Sequence, residues 1–410
     1  MATNLNTISQ ILKEQYLPVL KNGISSEPSP FLEMVKKVPL TSGEKITAIA
    51  PYGINGGFGF GSDGDATPVA GTRDYKRFEV APVNMYVDVR ISDKTVKLAS
   101  DSGALLDALD DEVSSSYEAA KWNVGRALFG DGSGVLCTIV DQPYGDTPNN
   151  LSYIAADNVN SFVEGLAVDV YIYPNSSAST PTLPAENKAM RVRSINRETN
   201  LVILEGVCAD CVRSDKAGNY GFLVVQGSYN KELTGLKAIF DDSINKLYGY
   251  EKTTNEFIRP LSVDALETGI SDQVIYDAVK KAYDYRHSKI DLVMMGDDAF
   301  KAYQQYVREH NLVFCDKTTF VGGASGYKVM VGNRTVTVIN EKLVPSKEAW
   351  CVDTSAFLFA HLDFDFCDYG SSGIFQLVPG TSYYRALLAS YGNLVCKNPG
   401  GCVKIVNCCA

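Results

Sequence analysis

The stretch from residue 104 to residue 129 carries the strongest periodic pattern in the chain. Its apolar residues recur at spacings of three and four, which places them on one side of a helix: Leu106, Leu109, Val113, Tyr117, Ala120, Val124 and Leu128. Gly130 follows and suits the end of a helix. At 1.5 Å per residue such a helix is about 39 Å long. We therefore predict a long amphipathic helix that packs along an extended body.

Two segments ahead of this helix cannot bury their apolar residues by themselves. Residues 1–43 are predicted to form an N-terminal arm, whose short amphipathic helix ends at Pro18. Residues 44–91 are predicted to form a long two-stranded loop with a glycine-rich tip, returning through a half-buried strand that includes Val87, Val89 and Ile91. An isolated hairpin is marginally stable in water, so we expect both segments to lie against other surfaces, including neighbouring copies of the chain.

The remainder of the chain divides into a strand-rich segment followed by segments that mix helices and strands. Residues 138–232 contain short strand-like runs separated by turn residues, which predicts a small inserted all-β domain. The next segment, 233–345, contains two helical patterns, a buried strand at 290–295 and a hairpin turning at Gly332–Asn333. Further strands are predicted in 346–410. The fold class is therefore α+β.

The composition excludes several classes of protein. The chain has 410 residues, 45% hydrophobic and 21% charged, with a net charge of −10. A negative net charge disfavours tight binding to nucleic acid phosphates. The start shows no signal-peptide pattern, and no run approaches the roughly 18 apolar residues of a membrane span. The ten cysteines are expected to be mostly reduced.

A glycine motif in the loop raises the possibility of a nucleotide-binding enzyme. Gly59, Gly61 and Gly64 match the pattern G-x-G-x-x-G. That pattern binds a dinucleotide only where a helix opens directly after the glycines. Here the following residues include Pro68 and Gly71 and carry no helical stripe. The enzyme interpretation is therefore disfavoured, and we expect no cofactor at this loop.

Other catalytic patterns are also missing from the sequence. The three histidines are scattered, and the chain has a single C-x-x-C pair, Cys208 and Cys211, with no histidine beside it. Asp363 and Asp365 alternate along a predicted strand, which is typical of a solvated strand face or a contact between subunits. We predict no catalytic, cofactor-binding or metal-binding residues.

Several longer segments resemble one family of proteins. Residues 27–61, 112–136, 242–260, 349–362 and 386–401 are similar, in this order, to segments of tailed-bacteriophage major capsid proteins, which have the fold of the Hong Kong ninety-seven phage capsid. None of these segments is a short catalytic signature. The specificity of the resemblance comes from their number and their order along the chain.

The resemblance implies an arrangement of domains. Residues 1–43 would be the arm, 44–91 the extended β-hairpin loop over a neighbouring subunit, and 92–137 the spine-helix region of a peripheral domain. Residues 233–345 would contain the axial domain and its connections, and 346–410 would return to the peripheral domain and end in a C-terminal tail. Residues 138–232 depart from the family pattern, which is why they are interpreted as an insertion.

The resemblance also implies a function and partners. The chain would be a structural protein that assembles into hexamers and pentamers of an icosahedral phage head enclosing double-stranded DNA. Its partners would be other copies of itself, a portal protein, a separate scaffolding protein and packaged DNA held without tight binding, with no membrane. It would be assembled in the bacterial host cytoplasm and located in the virion. The alternative is the shell protein of an encapsulin-like cellular compartment.

The loop supplies the residues that we predict to act in assembly. Four aromatic side chains in it are predicted to contact an adjacent subunit: Phe58, Phe60, Tyr75 and Phe78. Four glycines are predicted to be hinges, because glycine gives the backbone extra conformational freedom: Gly56, Gly57, Gly59 and Gly61.

Overall fold

A computed structural model describes residues 29–40, 45–52, 57–63, 69, 74–94, 102–146, 148–173, 180–208, 220–265, 269–310, 316–319, 325–332, 334–367 and 374–409. The α-helices in these residues are α1 (Pro30–Met34), α2 (Ser102–Leu128), α3 (Leu236–Phe240), α4 (Asp272–Arg286) and α5 (Asp297–Glu309). The first strands are β1 (Lys36–Pro39), β2 (Ile46–Tyr52), β3 (Asp74–Val80) and β4 (Val83–Ser92).

The strands that follow α2 begin with β5 (Val135–Ile139), β6 (Tyr144–Asp146), β7 (Leu151–Ala155), β8 (Ala167–Ile172), β9 (Met190–Asn196), β10 (Leu201–Glu205) and β11 (Gly221–Val225). After them come β12 (Lys246–Leu247), β13 (Tyr250–Glu251), β14 (Leu261–Asp264), β15 (Leu292–Met295), β16 (Asp316–Thr319), β17 (Ser325–Val331) and β18 (Arg334–Asn340). The last strands are β19 (Ala349–Val352), β20 (Phe357–His361), β21 (Asp365–Phe366), β22 (Phe375–Leu377), β23 (Tyr383–Cys396) and β24 (Val403–Val406).

The first sheet is organised around the long strand β23. One edge of β23 pairs with β4 along its N-terminal ten residues, and the other edge pairs in turn with β22, β21 and β20. Strand β1 lies parallel to β20 and completes the sheet. Helix α2 packs on one face of this sheet, where Val113, Ala120 and Val124 share a core with Val89 and Leu388. The predicted long helix is confirmed, with ends within two residues of the predicted ones.

The predicted two-stranded loop is correct only in part. Strand β2 pairs with β3 in antiparallel register from Ile46↔Val80 to Tyr52↔Asp74. The chain leaves this ribbon at Ala81–Pro82, and the next strand, β4, joins the first sheet instead. Pro82 offers no backbone N–H for a ladder, and the apolar face of β4 is covered by α2. The ribbon is therefore shorter than the 44–91 segment assigned to the loop.

Residues 135–225 form a separate β-rich unit. Its sheet has the strand order β5-β11-β8-β9-β10-β7-β6. A bridge between Ile139 and Ala156 brings the end of β5 to the end of β7, which closes the sheet into a small barrel. The barrel has its own apolar core, with Phe162 and Leu204 fully buried in it. The predicted β-rich segment thus corresponds to a barrel that starts at β5, slightly ahead of residue 138.

The chain enters and leaves the barrel at one place. Its outgoing and returning segments run side by side, since Asn230 N donates to Ser133 O at 2.7 Å and Glu232 N donates to Gly132 O at 3.3 Å. The loop of the barrel that contains Asn160 makes a further contact, from its Nδ2 to the carbonyl of Lys342 at 3.1 Å.

The returning segment is fixed against the end of α2. The Arg126 guanidinium and the Glu232 carboxylate form a buried two-contact ion pair, of which the Nη1–Oε2 contact is 3.0 Å. Gly235 then passes so close to α2 that a Cβ atom there would lie 2.3 Å from the carbonyl oxygen of Leu128. Only glycine fits this approach without displacing backbone. The chain is thereby led from the barrel back into the central core.

The second sheet has the strand order β14-β24-β19-β15-β18-β17-β16 and mixes parallel with antiparallel pairs. Helices α4 and α5 cover one of its faces, where Ile275, Ala282 and Tyr303 are buried. Residues on its other face, among them Trp350, belong to the central core described below. All four residues of β15 are buried, as predicted, and β17 and β18 form the predicted hairpin.

The C-terminal segment is divided between the two sheets, which differs from the sequence prediction. Strands β20 to β23 belong to the first sheet, which also contains β4. Strands β19 and β24 belong to the second sheet, beside β15 and β14. A strand buried on both faces, as β15 is, needs ladder partners on both edges. It obtains them from β18 and from β19, so the boundary at residue 345 does not separate the two sheets.

One central core joins these parts. It contains α1, the β2–β3 ribbon, the end of α2, α3 and residues of both large sheets. Phe31 packs edge-on against Phe357, with ring centroids 5.1 Å apart, and also contacts Phe129. Phe78 of β3 lies 5.3 Å from the ring of Tyr248 and stacks parallel to Phe257 at 6.2 Å. The base of the ribbon is therefore anchored within its own chain.

This anchoring generates a stability prediction. Phe78→Ala would leave a cavity in the central core, and we expect it to lower the free energy of unfolding by about 3–5 kcal/mol. The measurement is the shift of the urea unfolding transition. Phe60→Ala is the matched control, because Phe60 is 96% exposed and its truncation should change stability by less than about 0.5 kcal/mol. Equal effects of the two substitutions would contradict the described packing.

Candidate subunit-contact surface

The β2–β3 ribbon has one face turned to its own chain and one turned outward. Alternate residues of a strand point to opposite faces. One set, which includes Ala48 and Phe78, is buried in the central core. The other set, which includes Ile49 and Tyr75, is exposed at 58% and 60%. The outward face is thus partly apolar although nothing in the described chain covers it.

Charged residues flank the apolar part of the outward face. Lys45 Nζ lies 2.9 Å from Glu79 Oε2, and Arg77 Nε lies 3.2 Å from Glu79 Oε1. The hydrogen bond from Lys45 lowers the pKa of Glu79, and the charges of Lys45 and Arg77 act in the same direction. These exposed pairs contribute little to stability. They set a fixed pattern of charges around the aromatic residues.

The tip of the ribbon is more strongly apolar than its stem. Residues 57–63 have no regular secondary structure. Phe58 is 81% exposed and Phe60 is 96% exposed, and their rings meet edge to face with centroids 5.2 Å apart. Val69, on the returning side, is 90% exposed. Two adjacent phenylalanines held in water are unfavourable for an isolated protein and typical of a surface that a partner covers.

The structure separates the four aromatic residues that were predicted to contact another subunit. Phe58, Phe60 and Tyr75 lie on the exposed part of the ribbon, and their contact with another subunit stays a prediction. Phe78 is fully buried in its own chain, so its assignment to a contact between subunits is corrected. The reason is strand alternation: Phe78 shares a face with Val80 and lies opposite Ala48, and that face meets the central core.

Three of the four predicted hinge glycines lie in the described part of the tip. Gly57, Gly59 and Gly61 fall in the segment without regular structure. Gly56 lies outside the described residues. Their action as hinges stays a prediction.

Two exposed apolar residues of this surface, Ile49 and Val69, were missed by sequence reasoning. Ile49 alternates with the buried Ala48 and Ala50 along β2. The alternation alone therefore places it on the outward face. Val69 lies between Pro68 and Ala70, and the sequence gives no signal for its exposure.

The described residues contain no site that resembles a catalytic or metal centre. Within them, no three His, Cys, Asp or Glu side chains are grouped so that they can hold a metal ion. The histidines lie apart, at the ends of α4, α5 and β20. Asp363 and Asp365 are both exposed. Cys208 is buried, while Cys211 and Gly64 lie outside the described residues. Within the same residues, no helix has the length and apolar character needed to cross a bilayer.

Thiols near the C-terminus lie inside the protein. Cys402 and Cys408 are buried, and Cys409 is half-buried. Burial raises the pKa of Cys408 to about 12, with a smaller effect of Cys409. A hydrogen bond involving Cys396, together with burial, raises the pKa of Cys402. Thiols held in the protonated form are poor nucleophiles.

Comparisons with known proteins find similar folds among solved structures. No family model and no curated protein matches the sequence. The chain is similar to the cyanophage A-1(L) capsid asymmetric unit, with 9% identity, a TM-score of 0.48 and coverage of 95% of this chain and 92% of that one. The capsid of an empty GTA particle is similar with 10% identity, a TM-score of 0.47 and coverage of 93% and 90%.

A third similar structure is the holo-SrpI encapsulin complex from Synechococcus elongatus PCC 7942. Its identity to this chain is 8%, its TM-score is 0.43, and the coverage is 92% of this chain and 88% of that one. Capsid structures dominate these similarities.

Two ionisable groups with shifted pKa values lie away from the exposed ribbon, the buried Lys252 and the half-buried Glu341. Lys252 is buried, and its Nζ donates to the carbonyls of Ile239 at 2.8 Å and Asp241 at 2.7 Å, which closes the end of α3. Burial lowers the pKa of Lys252 to about 8, against the opposing effect of Asp242 and Asp241. The group acts as a structural cap.

Glu341 lies in the turn after β18, beside the start of α5. Burial raises the pKa of Glu341 to about 7, and the charge of Asp297 acts in the same direction. A hydrogen bond from Leu343 N to Oε1, at 3.4 Å, and the charge of Lys342 oppose this rise. The folded chain therefore holds a proton on Glu341 that the unfolded chain releases above pH 4.5.

The pKa of Glu341 predicts a pH dependence of stability. A carboxyl whose pKa is raised on folding costs stability once it is charged, so this contribution falls as pH rises from about 4.5 to about 7. Glu341→Gln keeps an oxygen acceptor for Leu343 and removes the charge. We expect the variant to match the wild type at pH 4.5 and to be more stable at pH 8, by on the order of 1–3 kcal/mol.

The measurement is thermal unfolding at a series of pH values. Glu118→Gln, at an exposed position of α2, is the control and should show no such pH-dependent gain. A gain for Glu341→Gln that is absent at pH 8, or equal at every pH, would contradict the described environment of this carboxyl.

Proposed function

We propose that this chain is a structural, non-enzymatic shell subunit: a major capsid protein that assembles into the hexamers and pentamers of an icosahedral phage head. The observation that carries the proposal is the β2–β3 ribbon. Its base is anchored by Phe78 in the central core, while its tip presents Phe58 and Phe60 to solvent. An anchored stem with an uncovered apolar tip is built to reach another molecule.

The ribbon suits a contact that repeats around a ring. The tip of one copy and the surface that receives it are different parts of the chain, so the contact is heterologous. Heterologous contacts generate closed rings when their rotation closes. Covering the tip removes apolar surface from water at each repeat, and a phenylalanine buries about 150–250 Å². Many moderate contacts of this kind stabilise a shell.

The charge of the chain is compatible with an enclosed genome. A net charge of −10 opposes tight binding of the shell to packaged double-stranded DNA, because like charges repel. In this proposal the chain is assembled in the bacterial host cytoplasm, where a portal protein and a separate scaffolding protein take part, and its final location is the virion. Glycine-rich segments at the tip would let the tip change its angle relative to the anchored stem as the shell matures.

The test changes the tip while leaving the body intact. Phe58→Ser with Phe60→Ser removes the exposed apolar surface, and we expect particle yield to fall at least tenfold while the far-UV circular dichroism stays unchanged. Negative-stain electron microscopy and size-exclusion chromatography measure the particles. Tyr144→Ser is the control, because Tyr144 is exposed on the barrel, away from the ribbon.

Two results would contradict the proposal. One is a normal yield of stable particles from the double variant. The other is a wild-type chain that remains monomeric under all conditions, including with a scaffolding protein supplied. The contents of wild-type particles distinguish a phage head from an encapsulin-like compartment, since the first encloses double-stranded DNA and the second a protein cargo.

A further inference from the structure

The barrel packs as a unit of its own, apart from the body, which is the described chain outside residues 130–234. All members of its apolar core belong to the barrel itself. Among the described residues, no ion pair joins the barrel to the body, and one hydrogen bond does, from Asn160 Nδ2 to the carbonyl of Lys342 at 3.1 Å. Apart from the two segments by which the chain enters and leaves it, the described barrel is therefore bonded to the body through one neutral polar contact.

The two connecting segments, residues 130–134 and 226–234, form a neck between the barrel and the body. Gly132, Gly134 and Gly227 lie in it with φ values of 91°, 77° and 70°, in the left-handed region that favours glycine. Hinges of domain motions are a few residues between packed elements that absorb a backbone rotation. The buried ion pair described above fixes the lower end of the neck to α2. A rotation at the glycines therefore moves the barrel and leaves the body unchanged.

A cleft of about 890 Å³ separates the base of the barrel from the first sheet and its helix. Val225, at the end of β11, lines the cleft on the barrel side and is half-buried. Met85 of β4 and Ala119 of α2 line the opposite side, and Ala119 is exposed. A tilt of the barrel towards α2 brings these apolar walls together. Such a tilt is favourable because it removes apolar surface from water.

The hydrogen bond to Lys342 and the cleft are alternatives for the barrel. Lys342 follows β18 of the second sheet, whereas the far wall of the cleft belongs to the first sheet and α2. Asn160 moves with the barrel, because its backbone N–H donates to Asn158 Oδ1 at 2.8 Å and the adjacent Val159 is buried in the barrel core. A packed core moves as a rigid unit. A tilt that closes the cleft therefore draws Asn160 away from Lys342.

We propose that the barrel is a hinged unit with two orientations. The hydrogen bond from Asn160 to Lys342 holds it in the described orientation, and apolar contact between the end of β11 and α2 holds it in the other. One neutral hydrogen bond changes a ratio of populations by about two- to tenfold, so both orientations are populated. A partner that binds one orientation more tightly shifts the barrel towards it. The hinge belongs to a single chain, so the inference stands independently of shell formation.

The first experiment measures a distance between barrel and body in the full chain by double electron–electron resonance. Nitroxides are attached through p-acetylphenylalanine at the exposed positions of Thr199, in the turn after β9, and Lys301, on α5, and labelled chain is diluted into unlabelled chain. We expect a shorter and a longer distance. Asn160→Ala should raise the ratio of longer to shorter about two- to tenfold. Glu164→Ala, at an exposed position of the same barrel loop, is the control and should leave the ratio unchanged.

The second experiment obstructs the cleft in the Asn160→Ala background. Ala119→Arg places a charge where the apolar walls meet, so it should return the ratio at least to the wild-type value. Ser115→Arg, at an exposed position of α2 outside the cleft, should not, and circular dichroism checks that each variant is folded. One unchanged distance in the wild type and Asn160→Ala, or an equal change with Glu164→Ala, would overturn the two orientations. A longer distance that Ala119→Arg does not suppress would overturn the motion into the cleft.

Discussion

Packing in the central core connects the β2–β3 ribbon, the end of α2, α3 and the two large sheets. Phe31 lies between Phe129 and Phe357, so one side chain connects the start of the described chain, the end of α2 and the first sheet. Trp350 stacks on Phe240 with ring centroids 4.7 Å apart and connects α3 to the second sheet. Because interiors are close-packed and rigid, these contacts fix the relative positions of elements that are distant in sequence.

The rigidity of this core stabilises the stem of the ribbon. A two-stranded ribbon is weak alone, yet here its inward face is completed by aromatic side chains of its own chain. The stem therefore has a defined direction relative to the core, and Phe58 and Phe60 at the tip remain exposed. Because only the stem packs on the central core, Phe78 stabilises the folded chain, while Phe58 and Phe60 at the tip remain available for contact.

Local sequence patterns predicted the helices, strands and turns that are defined within a short window of sequence. Helices α2, α4 and α5, the buried strand β15 and the hairpin of β17 and β18 were all predicted from spacing and turn residues, because each is defined within a short window of sequence. The partner of β4 was not, since β23 lies about 300 positions away and no local signal specifies it. The division of the C-terminal strands between two sheets was missed for the same reason. For Phe78, alternation indicated a face, but the cover over that face comes from residues near position 250.

The pairing of the segments that enter and leave the barrel has a consequence for how such a chain can vary. Its outgoing and returning segments are hydrogen-bonded to each other between residues 132 and 232, so the ends of the barrel coincide in space. A unit whose ends meet can be lengthened, exchanged or replaced by a short turn without altering the path of the chain in the body, provided that the Arg126–Glu232 pair and Gly235 are kept. The barrel is thus an exchangeable unit, and the same body could carry other inserted domains at this position.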